Sequence, residues 1–171
     1  MKPILEKLRG GDRRSIGRSD EVVEHVLRSP LLFHDLFQGF YQEDVIIRMR
    51  TADAIEKITA KKPELLTPYK TDFLNLITQI DQMEVLWHFA QIIPRLPLTP
   101  EERTAAFHIV EGYLSNKSAI VQASSLQCLY ELALQQSDLR DIAIRHLQQG
   151  QKSKHKAVQT RCRKLLSEKL I

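Results

Sequence analysis

Cysteine occurs only twice, at Cys128 and Cys162, too few for a disulfide framework or a four-thiolate zinc site. Both fall on apolar helical faces, where buried, reduced thiols are expected. No run approaches the roughly 20 apolar residues of a membrane span. The opening Met1-Lys2-Pro3-Ile4-Leu5-Glu6-Lys7 lacks the apolar core of a signal peptide, so a cytoplasmic protein with no membrane contact is expected. Glycine (6) and proline (7) are sparse, which excludes fibrous and low-complexity classes. Catalytic motifs are missing too. There is no phosphate loop of the Gly-Lys-Ser type, no nucleophile-elbow serine, and no two of His25, His34, His88, His108, His146 and His155 stand four residues apart. The expectation is a non-catalytic protein without metal or cofactor.

What is present is a period. Four segments share one template in which a residue at position 0 is followed by small or apolar residues at positions 4, 7, 8 and 11. The first is Ile47, Thr51, Ala54, Ile55, Ile58; the second is Val85, Phe89, Ile92, Ile93, Leu96. The third is Val121, Ser125, Cys128, Leu129, Leu132, and the fourth Val158, Cys162, Leu165, Leu166, breaking at Lys169. The starts are 38, 36 and 37 residues apart. At 3.6 residues per turn these positions fall within about 100° of one another, so each segment predicts an amphipathic helix with one buried stripe. Between them, Leu31 to Tyr41, Tyr69 to Ile80, Glu101 to Leu114 and Leu139 to Leu147 each carry their own helical spacing. Helix pairs are therefore predicted throughout, with no strand.

Punctuation agrees. Thr99-Pro100-Glu101-Glu102 reads as a capping box with proline at the first helical position. Pro94 and Pro97 should end the second template helix early. Upstream, Lys2 to Leu8 and Ser19 to Arg28 read as helices separated by Gly10-Gly11, an irregular end-piece of the kind a repeat array needs. The expected organisation is one domain over 1–171, with a cap at 1–29 and repeats at roughly 30–62, 63–97, 98–135 and 136–171.

The phrase Ile47-Arg48-Met49-Arg50-Thr51-Ala52-Asp53-Ala54-Ile55-Glu56-Lys57-Ile58 resembles the inner helix of HEAT repeats in the armadillo-like superfamily. Val85 to Leu96, followed by Leu98-Thr99-Pro100-Glu101-Glu102-Arg103, is similar to a stretch found in small bacterial HEAT-repeat proteins. The resemblance spans roughly residues 30–170. It implies an all-α fold, a right-handed α-solenoid of antiparallel helix pairs, and partner binding without shared chemistry. Many HEAT repeats pair an arginine at position 1 with an aspartate at position 6. Only Arg48 and Asp53 match, whereas Leu86 with Gln91, Gln122 with Gln127 and Gln159 with Lys164 do not.

In such a solenoid, positions 2, 6 and 9 of the inner helices lie opposite the buried stripe and face solvent or a partner. The concave-face candidates are Met49, Asp53, Glu56, Trp87, Gln91, Gln127, Tyr130 and Lys164. Trp87 combines a large apolar area with one donor, suited to an interface anchor or a base-stacking platform. The formal charge of +4 is terminal, since residues 151–171 hold seven basic and one acidic side chain. Lys152, Lys154, Lys156, Arg161, Arg163, Lys164 and Lys169 make the last helix cationic, fitted to phosphates or an acidic protein surface. A second basic group, Arg9, Arg13, Arg14 and Arg18 beside Gly10-Gly11, is a candidate anion-binding turn. The leading expectation is a protein-binding scaffold, monomeric or homodimeric. The alternative is a nucleic-acid-binding protein related in fold to the HEAT-like alkylpurine DNA glycosylases, for which Asp53, Glu56 and Trp87 are the only groove candidates.

Overall fold

A computed structural model of the chain describes residues 1–168. Among these residues every regular element is a helix, and none is long and apolar enough to cross a membrane. Where one domain is expected, the chain's contacts cluster into two units, Met1–Leu96 and Pro97–Ile171. The division falls in the proline-bearing connection between the second and third expected repeats.

In the first unit, α1 (Pro3–Glu6) and α2 (Ser19–Arg28) form the end-piece, and α3 (Leu32–Phe37) runs on as a 3-10 turn to Tyr41. Gly39 explains how that turn fits, because a Cβ there would lie 2.0 Å from Thr51 Oγ1. Next come α4 (Val45–Lys61), a 3-10 stretch Pro63–Tyr69, α5 (Lys70–Gln79) and α6 (Met83–Ile92), which ends in a 3-10 turn Ile93–Arg95. Asp44 caps α4, its Oδ1 accepting from the Ile46 nitrogen at 2.8 Å. Pro63 ends it, since the residue before a proline is pushed out of the helical region. α2 and α6 both pack on α4, and Met49 through Ile55 are buried without a break. A helix covered all round presents no free face. The rings of Phe33, Phe37, Phe40, Tyr69, Phe73 and Phe89 join α3, α5 and α6, with Phe89 5.0 Å from Phe73 and 5.4 Å from Phe40.

The second unit holds α7 (Pro100–Tyr113), α8 (Ala119–Gln135), a 3-10 turn Ser137–Leu139, α9 (Arg140–Gly150) and α10 (Lys156–Ser167). α8 packs against α7, α9 and α10 over a core that includes Leu126, Tyr130, Leu147, Val158, Cys162 and Leu165. The predicted capping box is formed: Thr99 Oγ1 accepts from the Glu102 nitrogen at 3.2 Å, and Glu102 Oε2 accepts from the Thr99 nitrogen at 2.8 Å. Thr99→Ala is expected to cost about 1 kcal/mol. A shift of the urea midpoint tests this, and an unchanged midpoint would show the cap to be idle.

The four template helices are alike in detail. Asp44, Gln82, Ser118 and His155 are their N-caps, each three residues before position 0. Position 1 reaches back six residues in three of them. Arg48 Nη1 donates to the Gln42 carbonyl, Gln122 Nε2 to Asn116 and Gln159 Nε2 to Ser153, each at 2.7 Å. Leu86 lacks a donor; there Gln82 is held from α4, accepting from Arg48 Nε at 3.0 Å and donating to the Val45 carbonyl at 2.8 Å.

Candidate functional site

The expected partner-facing residues of the first unit are brought together, but most are already engaged. Asp53 Oδ2 accepts from Ser19 Oγ at 2.5 Å and from Lys57 Nζ at 2.8 Å, and Lys57 also meets Asp20 at 2.7 Å. Glu56 is half-buried, its Oε1 2.6 Å from Arg95 Nη2, while Arg95 Nη1 donates to the Glu56 carbonyl and to Thr59 Oγ1. His88 is buried beside this network, and its Nδ1 has no partner among the described residues. Burial holds the imidazole below its ordinary pKa against the opposing pull of Asp53 and Glu56, so it is neutral at pH 7. Trp87 is half-buried with its ring 5.3 Å from that of His88, and Gln91, one turn on, is exposed.

Two expectations for this face are corrected. Met49 and Asp53 do not face solvent: they are buried, because α2 and α6 enclose α4 and Ser19 of α2 seats the Asp53 carboxylate. In the second unit Tyr130 is likewise buried, its hydroxyl donating to the Glu168 carbonyl at 3.0 Å, since α10 packs over that part of α8. Gln127 is half-buried and bridges two elements, donating to Glu131 Oε1 and accepting from Arg161 Nη1, both at 2.7 Å.

The expected anion-binding turn has the opposite polarity. Arg9, Arg13 and Arg18 pair with Glu6, Glu84 and Glu21. The backbone turns its carbonyls inward around Arg50, which is 2% exposed. Arg50 Nε donates to Ser15 at 3.1 Å, Nη1 to Leu8 at 2.8 Å and to Arg9 at 3.3 Å, and Nη2 to Asp12 at 3.4 Å. Gly17, at φ +56°, lets the chain pass so close that a Cβ would lie 2.6 Å from the guanidinium carbon. Nothing in the sequence around Arg50 pairs it with this turn, of which Gly10-Gly11 is the one visible sign.

The basic group of the second unit lies at the surface. Lys152, Lys154, Lys156, Arg161, Arg163 and Lys164 are all exposed. Lys164 has Glu168 at 3.8 Å, whereas the other five have no carboxylate partner among the described residues. Arg161 rests on neutral Gln127, and Arg163 Nε donates to the Gln159 carbonyl at 3.4 Å. Lys156, Ala157, Thr160, Arg161 and Lys164 line an open depression. Lys169 lies outside the described residues. Cys128 and Cys162 are free and buried, and burial raises both thiols, Cys162 to about 11, so neither is an available thiolate at neutral pH. Among the described residues no group of three or more His, Cys, Asp or Glu side chains is arranged to hold a metal ion.

In comparisons with known proteins, no family model and no curated protein matches the chain.

Proposed function

We propose that the chain is a right-handed α-solenoid of HEAT-like antiparallel helix pairs. In this reading it serves in the cytoplasm as a non-catalytic scaffold that holds a protein partner on the face carrying Trp87. The shared start of the four template helices, three residues before position 0, and the position-1 reach-back bonds within each unit support the repeat assignment. The observation that carries the binding assignment is Trp87, the chain's one tryptophan, which is only half-buried, one turn from exposed Gln91. Asp53, Glu56, Lys57 and Arg95 alongside are already satisfied, so a partner gains most from the indole, an apolar surface with a single donor.

The test places a photo-crosslinking amino acid at Gln91 in cells, with and without Trp87→Ala. One discrete protein adduct is expected, falling by at least about tenfold when the ring is removed, as befits an interface anchor. An adduct indifferent to Trp87, or none at all, would refute the scaffold reading at this face.

A further inference from the structure

We infer that the outer face of α10, with the turn before it, is a contact surface for the sugar-phosphate backbone of a nucleic-acid duplex, held without reading its sequence. This goes beyond the scaffold reading, lies in the other unit and makes no use of Trp87.

At 100° per residue, Val158, Cys162 and Leu165 form the buried stripe of α10. Arg163, Lys156 and Lys164 spread over the opposite arc, Arg161 flanks the stripe, and Lys152 and Lys154 extend the charge into the preceding turn. Elsewhere Lys7, Arg18, Lys57 and Arg95 each meet a carboxylate, and cations without one, such as Arg14, Lys117 and Arg145, are scattered; α10 and the turn before it gather five within twelve residues.

Four kinds of anionic partner compete for such a face, and its chemistry separates them. An interface with an acidic protein is poor in lysine at its centre and needs an aromatic or aliphatic anchor. This depression offers only Ala157 and Thr160 between its cations. An anionic membrane surface is gripped by cations together with large inserted apolar side chains, and this arc of α10 exposes none larger than Ala157. A single strand is held by bases stacked on aromatic rings, of which α10 has none. A duplex backbone asks only for cations and small donors along a line. Lys156 and Lys164, eight residues apart, span about 12 Å of helix axis, room for about three successive phosphates of one strand. Thr160 stands between them with a hydroxyl donor.

The experiment measures fluorescence anisotropy of two unrelated labelled duplexes against the full chain at about 50 and 150 mM salt. Parallel arms use a single strand of equal length, phosphatidylglycerol vesicles and polyglutamate. Both duplexes should bind alike and more tightly than the single strand. Five contacts predict a slope near −4.5 in log K against log salt, about a 100-fold loss over that range. Changing Lys152, Lys154 and Lys156 together to Gln should weaken binding by more than about tenfold and bring the slope to about −2, with the helical circular dichroism unchanged. Arg161→Gln with Lys164→Gln gives an independent second variant, and Trp87→Ala should leave binding intact. The inference is overturned if the duplexes do not bind at the lower salt, if both sets of variants bind like the parent, or if the single strand, vesicles or polyglutamate bind more tightly.

Discussion

Arg50→Met should destabilise the first unit by about 3–5 kcal/mol. Methionine keeps the apolar stem as far as the place of Nε, so the loss reports the missing guanidinium and the space it filled. Four backbone carbonyls, those of Leu8, Arg9, Asp12 and Ser15, would lose the guanidinium at once, with Asp12 alone keeping a second donor, the Ser15 nitrogen at 3.4 Å. A neutral hydrogen bond contributes only about 1 kcal/mol, but one to a charged donor contributes about 1.5–3, and the carbonyl left behind is costly when water cannot reach it. Arg50→Lys should recover less than half, because an ammonium is a compact point charge and cannot span four acceptors as the planar fork does. Urea unfolding followed by the fluorescence of Trp87 reports the unit that carries Arg50. A loss under about 1 kcal/mol would mean that water replaces the guanidinium and that the turn stands by itself.

Phe89→Ala should cost a similar amount, about 3–5 kcal/mol, for a different reason. Phe89 is fully buried where the rings of Phe40 and Phe73 converge, so alanine leaves a cavity between α6, α5 and the turn after α3. Phe89→Leu, closer in volume, should cost under about 1.5 kcal/mol. The same fluorescence-monitored unfolding separates filling from aromatic geometry: equal losses for Leu and Ala would show that ring edge-to-face contacts, rather than volume, hold the site together.

These two residues differ in how visible they are from sequence. Phe89 belongs to the period that also places Ile47, Val85, Val121 and Val158, and every one of those position-0 residues is buried. Burial of that kind follows from one helix's own spacing. Even Leu96, beyond the helix-ending Pro94, stays buried, because the 3-10 turn Ile93–Arg95 carries the chain back to the core. The opposite faces were not legible in the same way. Asp53 is covered by Ser19, 34 residues earlier, and Tyr130 by the Glu168 carbonyl, 38 residues later. Nothing in the helix that carries either residue encodes that cover. Arg50 was hidden by the same cause, compounded by the prior that arginine belongs at the surface. The cations of α10 were readable because exposure requires no partner from elsewhere in the chain.

The clamp on residues 8 to 15 also fixes an order of events during synthesis. Arg50 stands 35 to 42 residues downstream of the carbonyls it fills. Growing chains generally settle from the N-terminus as they emerge. Here the turn has to wait, open and solvated, until α4 has been translated and its guanidinium delivered, so a segment is closed by a side chain made some forty residues after it.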